Sequence, residues 1–470
     1  MKRITYFSMI SIAILSLTIA ACVGSPSTVS AQANPSAQTT TGSAAAYPIV
    51  DTGQDKCYDD QGQISCPTEG EAFYGQDGQY SSSQANYVDN GDGTVTDLAS
   101  GLMWQQTPDL DNKSTFSQAV AGADNFSLAG YDDWRLPTIK ELYSLMDFSG
   151  STYQQIPYID TGVFDFVYGD ESSGERMIDA QYWSSTEYIG TTMNGSHTVF
   201  GVNFADGRIK GYGTSNPQGG EMTQFVRYVR GNASYGVNDF ADNGNGTITD
   251  SATGLMWQQG DSVTTYDWES ALNYCENLDM SGYNDWRLPN AKELQSIVDY
   301  TEAPTVTGSA AIDPIFEITD IQSYFWTSTT HLDSPQMSQA VYITFGQALG
   351  YMNNQWMDVH GAGAQRSDPK SGDPSQWSTG FGPQGDDIRI YNYARCVRDG
   401  VNNEITTGGA VDPDNNQTNS AVGSPTTGTD ATTGQQNGQF TAPDSQNDQL
   451  PPPADGQNGA RPPGPPPNQS

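Results

Sequence analysis

The sharpest apolar periodicity in the chain runs through residues 268–278, where Trp268, Ala271, Leu272, Cys275 and Leu278 recur at i, i+3, i+4, i+7 and i+10. That spacing predicts one buried stripe on an amphipathic helix. Phe116, Ala119, Val120 and Ala123 trace the same stripe more weakly. A second helix start follows each stripe. Leu136-Pro137 leads into Thr138-x-x-Glu141, and Leu288-Pro289 into Asn290-x-x-Glu293. Both are capping boxes, in which the side chains at the two ends of the first turn bond each other's backbone N–H groups. Leu142, Leu145 and Met146, and Leu294, Ile297 and Val298, then supply the buried faces. Period-two patterning marks the strands. Thr94-Val95-Thr96 follows Asn90-Gly91-Asp92-Gly93, which predicts a tight hairpin, as does the cluster Asn243-Gly244-Asn245-Gly246. The β-branched and aromatic runs Val199–Phe204 and Val341–Phe345 predict further strands.

These elements are two copies of one series. Asp89 to Asp97 returns at Asp242 to Asp250, and Gly101-Leu102-Met103-Trp104-Gln105-Gln106 returns unchanged at Gly254 to Gln259. Tyr131-Asp132-Asp133-Trp134-Arg135-Leu136-Pro137 returns at Tyr283 to Pro289, and Trp183-Ser184-Ser185-Thr186 at Trp326-Thr327-Ser328-Thr329. Each copy closes on a basic strand, Val226 to Arg230 and Ala394 to Arg398. Such a repeat predicts two tandem copies of one domain, at 87–231 and 238–400. The offset is 153 at Asp89/Asp242, 152 at Trp134/Trp286, 143 at Trp183/Trp326 and 168 at Arg227/Arg395. Copy two therefore gains residues after its Trp-Thr-Ser-Thr, and insertions on a kept scaffold mark surface loops, where binding groups concentrate. The recurring tryptophans are expected in the core.

The ends differ from this middle. Lys2 and Arg3 precede a short apolar run, Ile10 to Ile19, that ends in Ala20-Ala21-Cys22. The run is too short for a permanent span. It resembles a lipoprotein signal over residues 1–21 with Cys22 as the lipidated residue; Val23 in place of Asp favours the outer membrane of a two-membrane cell, facing the periplasm or exposed on the surface. Residues 22–46 predict a flexible linker, and 401–470, rich in Pro, Gly, Gln and Asn, a disordered tail. Between linker and copy one lies a lead-in, 47–86.

Charge narrows the partners. The 470 residues carry 19 Lys+Arg against 55 Asp+Glu, a net charge of -36. That balance disfavours nucleic acid, and leaves the N-terminal lipid as the membrane attachment. Only three histidines are present, none at ligand spacing, so no metal and no cofactor is expected. Asp89, Asp92 and Asp97 lack the regular spacing and closing Glu of a calcium loop, so a turn is the favoured reading. With Cys22 lipidated, four cysteines remain. Subtracting local offsets, Cys275 falls at Ala123 and Cys396 at Tyr228, so both are missing together from copy one. A Cys275–Cys396 bridge is expected, with Cys57–Cys66 closing a small loop in the lead-in.

No histidine recurs at an equivalent place beside a Ser or Cys, and no carboxylate pair stands out by spacing, so catalysis is not expected. The better candidate for function is the expanded segment 351–388 of copy two. Tyr351, Trp356, His360 and Trp377, with Arg366, Lys370 and Phe381, are set there among Gly, Ser, Gln and Asp. Flat rings beside amides and hydroxyls suit sugar faces and protein partners alike. Arg227, Arg230, Arg395 and Arg398 are the candidates for a local basic patch; on closing strands, arginines more often pair with carboxylates at the core edge.

The series Asp-Asn-Gly-x-Gly-Thr, Gly-Leu-Met-Trp, Asp-Trp-Arg-Leu-Pro and Trp-Ser-Ser-Thr, with a closing Val-Arg strand, resembles the Lcl C-terminal domain family. The resemblance implies an α+β, C-type-lectin-like fold related to that of formylglycine-generating enzymes. The expected Cys275–Cys396 bridge is similar to one in C-type lectins. The resemblance also implies an adhesin-like role, and the family includes a domain that binds sulfated glycans. The lectin calcium motifs Glu-Pro-Asn, Gln-Pro-Asp and Trp-Asn-Asp are absent. The function expected is thus a non-catalytic, surface-anchored lipoprotein that binds a glycan or a surface protein, in adhesion or biofilm matrix. The alternatives are a structural envelope component and, further off, an enzyme on the related fold.

Overall fold

The computed structural model describes residues 47–216 and 219–400. The signal segment 1–21, Cys22, the linker 22–46 and the tail 401–470 lie outside the described residues.

Helices form where their first turns are specified. The helix α1 (Phe116–Ala123) starts at Thr115, whose side chain and that of Gln118 complete a capping box. In α2 (Ile139–Ser144) the Thr138/Glu141 box is formed. In α3 (Trp268–Glu276) the Asp267 carboxylate accepts the Ser270 N–H, and α4 (Ala291–Ser296) carries the Asn290/Glu293 box. Trp268, Ala271, Leu272 and Cys275 are buried along α3 as the stripe requires. The weaker stripe of α1 is only partly buried. Ala119 and Ala123 pack beside Trp134 and Trp183, while Val120 is 45% exposed. Two small alanines let that edge of the helix sit close to the rings, which turns Val120 outward.

Strands outweigh helices in the rest. Each copy folds a four-stranded antiparallel sheet of the same order. In copy one Val229–Gly231 lies beside Leu102–Gln105, then Thr94–Asp97, then Tyr87–Asp89; in copy two the series is Val397–Asp399, Leu255–Gln258, Thr247–Asp250, Phe240–Asp242. The hairpins turn at the glycine clusters, where Gly91 and Gly93 take φ of 72° and 88°. The nearby carboxylates are spent on the turn, Asp89 accepting the Gly91 N–H and Asp92 the Thr94 N–H. The expected strand pairs form as well, and here the two copies merge. Six strands make one antiparallel sheet in the order Tyr324–His331, Gln339–Thr344, Gln365–Pro369, Arg208–Gly213, Thr198–Asn203, Gln181–Glu187. The join is between copies, with Gln365 opposite Ile209 and the Gln365 side chain accepting the Ile209 N–H.

The seam is reciprocal. Lys140 of α2 donates to the carbonyl of Ser296 at the end of α4, at 2.6 Å, and Lys292 of α4 donates to that of Ser144 at the end of α2, at 2.9 Å. Each lysine thus caps the other copy's helix, where the terminal carbonyls attract a cation. Burial pushes both ammonium groups down to about 8. One apolar core runs through both copies, including Trp104, Leu142 and Phe200 with Trp257, Leu294 and Phe325. Full burial of a side chain such as Leu142 or Phe200 contributes about 1.5–3 kcal/mol. Smaller clusters centre on Trp134 and Trp183 in copy one and on Trp286 and Trp326 in copy two, so the recurring tryptophans are core residues.

The lead-in is built into this body. Tyr47 and Ile49 join the shared core. The Gln54 amide donates to carbonyls of both copies, Phe148 at 3.3 Å and Thr330 at 2.9 Å. Both expected disulfides are present, Cys57–Cys66 and Cys275–Cys396.

Candidate functional site

Segment 351–388 is not the single loop expected. Gln365–Pro369 is a strand of the central sheet, and it divides the insertion in two. On one side the hairpin Leu349–Met352/Gln355–Asp358 stands out from the sheet; on the other a short helical turn, Pro374–Trp377, leads into a tight loop. The parts rejoin, with the Tyr351 N–H donating to the Gly385 carbonyl at 2.7 Å and Gly350 bridging to Asp386. Together they form one lobe carrying two edge-to-face ring pairs. Tyr351 and Trp356 lie 5.4 Å apart at 62°, and Trp377 and Phe381 5.5 Å apart at 89°. Phe381 is 61% exposed; Tyr351, Trp356 and Trp377 are half-buried. Exposed amides of Asn353, Asn354, Gln355 and Gln376 flank the rings.

His360, Arg366 and Lys370 point the other way, which corrects their assignment to a ligand face. The sheet strand and the approach to it carry them inward. His360 is 2% exposed and meets Asp386 at 2.8 Å, while Arg366 pairs with the same carboxylate. Burial, reinforced by the Arg366 charge, holds the imidazole well below its ordinary value, so it is neutral. Lys370 donates to the Tyr58 and Asp59 carbonyls and sits 4.2 Å from the Trp268 ring. These three side chains fasten the lobe and the lead-in to the body.

His331 lies deeper, at the seam. Its Nε2 faces the Asp206 carbonyl at 2.9 Å, and its Nδ1 faces the Ser367 hydroxyl at 2.8 Å and Asp333 at 3.1 Å. Arg208 of copy one also reaches Asp333 and Ser367. A carbonyl can only accept, so Nε2 carries a proton and the ring is committed on both sides. His331 is fully buried. The His331–Asp206 contact and the reach of Arg208 to Asp333 and Ser367 knit the two copies together, while the Ser–His contact holds the ring within copy two.

The closing-strand arginines split by position. Arg227 and Arg395 are fully buried and bond backbone carbonyls: Gln105, Gln106 and Asp165 for the first, Gln258, Gly260 and Glu317 among those of the second. Arg230 and Arg398 do pair with carboxylates, Asp133 and Asp285, and lie over the Tyr131 and Tyr283 rings. None of the four is free to build a basic patch. Among the described residues no group of three or more His, Cys, Asp or Glu could hold a metal.

A second surface feature had no counterpart in the sequence reading. An open groove of about 550 Å³ is lined by Arg135, Thr138, Ser185 and Thr186 of copy one, by Val237 of the inter-copy linker, and by Val298 and Tyr300 of copy two among others. Its signal was present in the offset of 153, which sets Ala233 of the linker against Tyr80 of the lead-in.

A duplicated, strand-rich, disulfide-bonded protein is what the fold and these surfaces define. The Lcl C-terminal domain family matches it twice, at residues 93–230 and 246–360, and the chain belongs to that family. No curated protein and no solved structure matches it.

Proposed function

We propose that this chain is a non-catalytic binding lipoprotein of the bacterial cell envelope, with C-type-lectin-like α+β domains, held to the outer membrane by lipid on Cys22. Its ligand-facing surface is the aromatic lobe of copy two, and the ligand is an uncharged face of a glycan. The observation that carries this reading is the lobe itself: two ring pairs and a row of exposed amides, built by insertion onto a scaffold that copy one keeps without them. Rings stack on the C–H faces of sugars while neighbouring amides bond hydroxyls. Arg227, Arg230, Arg395 and Arg398 are all engaged elsewhere, and the net charge is -36, so a sulfated polyanion is the poorer fit. A glycan array probed with the full chain and with a Trp356→Ala/Trp377→Ala variant tests the proposal. Binding to neutral oligosaccharides that the variant loses is expected. No binding to any glycan would sink the glycan reading and favour a surface-protein ligand or a structural envelope role.

A further inference from the structure

The two copies present the same receiving groups at the start of their second helices, yet only copy two has them covered. There the lead-in lies across α4. The Asp77 carboxylate accepts the hydroxyls of Thr52 at 2.8 Å and Thr329 at 2.5 Å. The Tyr80 ring lies 5.5 Å from the Arg287 guanidinium, and its hydroxyl donates to Glu276 at 2.7 Å. The space left is about 10 Å³, the size of one water.

Copy one repeats the receptor without the cover. Thr186 stands at the place of Thr329, Arg135 at that of Arg287 and Asp124 at that of Glu276. The place of Tyr80 is held by Ala233, and the residues just before it are copy one's own closing strand, Val229–Gly231. The groove of about 550 Å³ results. Matching atoms show the difference. The Arg135 side chain is 33% exposed and that of Arg287 5%. Thr186 accepts the Ile139 N–H as Thr329 accepts that of Ala291, but among the described residues only the Thr329 hydroxyl has an acceptor for its own hydrogen, Asp77. Arg287 has a further carboxylate, Asp399 at 3.3 Å, whose counterpart beside Arg135 is Gly231.

We infer that the groove of copy one docks an extended peptide segment of a partner protein that presents a carboxylate and, three residues later, an aromatic ring. The chain's own lead-in is the template for that chemistry. The carboxylate takes the Thr186 hydroxyl, and the ring lies over Arg135 against the exposed Val237. Repulsion from the acidic chain slows approach but is screened within about 8 Å at physiological salt. This site is separate from the aromatic lobe, and the two proposals stand or fall independently.

The test is fluorescence anisotropy of a labelled synthetic peptide, Gln76–Ser83, titrated with the full chain. The copy-two site is already filled by the tethered lead-in at high effective concentration, so one site is open. Saturable one-to-one binding is expected, weakened tenfold or more by Asp77→Asn or Tyr80→Ala within the peptide. Ala233→Tyr should fill the groove as Tyr80 does in copy two and abolish binding. Val237→Glu, at an exposed position, should weaken it without touching the scaffold, and Trp356→Ala/Trp377→Ala should leave it unchanged. Absence of saturable binding, or equal binding by the Ala233→Tyr and Val237→Glu chains, overturns the inference. Dimerisation of the full chain that the peptide reverses would overturn the partner and make a second copy the occupant.

Discussion

Removing the buried Cys275–Cys396 bridge with a double alanine variant is expected to cost this protein several kcal/mol, about 3–5. The bridge closes a separation of 121 residues and ties α3 to the residues leading into the last strand. Loop-closure entropy for that span corresponds to about 5 kcal/mol in the denatured state, against about 3 kcal/mol for the short loop of Cys57–Cys66. Copy one shows what replaces it. Ala123 and Tyr228 stand at the two positions, and the Tyr228 hydroxyl donates to the Ala119 carbonyl at 3.0 Å. Such a bond contributes about 1 kcal/mol net, so the variant lacks even that compensation. Equilibrium unfolding in guanidinium, followed by tryptophan fluorescence and far-UV dichroism, reads the loss. Because one core and one six-stranded sheet run through both copies, a single transition is expected, shifted as a whole by about 3–5 kcal/mol. A loss below about 1 kcal/mol would contradict the entropic reasoning. A separate early transition carrying copy two alone would contradict the shared body.

Three further outcomes follow from particular residues. Arg395→Met removes a fully buried guanidinium that bonds the carbonyls of Gln258, Gly260 and Glu317 and should cost about 3–5 kcal/mol in thermal denaturation, whereas Arg230→Met, whose partner Asp133 is largely exposed, should cost under about 1 kcal/mol. Burial raises the folded-state pKa of Asp77 and of Glu276 to about 7, against ordinary values of 3.8 and 4.5. The folded protein therefore holds more protons between those limits. The stability these groups add is full below their unfolded values of 3.8 and 4.5 and is lost as pH rises through 7. Hydrogen exchange at Tyr80–Asn86, corrected for intrinsic rate, should show stronger protection at pH 5 than at pH 8; equal protection would contradict the lead-in account. Added calcium or a chelator should leave the melting temperature unchanged, since Asp89 and Asp92 are committed to their own turn; a shift of several degrees would restore the calcium loop.

Local grammar carried much of this fold. The capping boxes at Thr138 and Asn290, the glycine turns and the tryptophan cores are properties of short windows or of repeats, and they read directly from the residues. The bridge was legible because duplication supplied a comparison: two cysteines missing together from copy one. What stayed hidden is non-local. Nothing within 365–369 announces that Gln365 pairs with Ile209 of the other copy, so the local pattern predicts one loop there and makes His360 and Lys370 surface groups, whereas the sheet turns them into anchors. Arg227 and Arg395 bond carbonyls brought to them by distant turns, which spacing along the chain does not encode. Likewise Asp77 meets Thr329 across 252 positions, a contact that only the assembled body makes visible.

The proposed ligand-facing surface is the aromatic lobe of copy two, with its two ring pairs. Its direct test is the affinity of the full chain for an array-selected oligosaccharide, measured from low to high ionic strength for the unmodified protein and for Trp356→Ala/Trp377→Ala. Affinity that is flat with salt and lost in the variant is the predicted result. Affinity that falls steeply with salt and survives the loss of both rings would contradict it and return the ligand to an ionic, polyanion class.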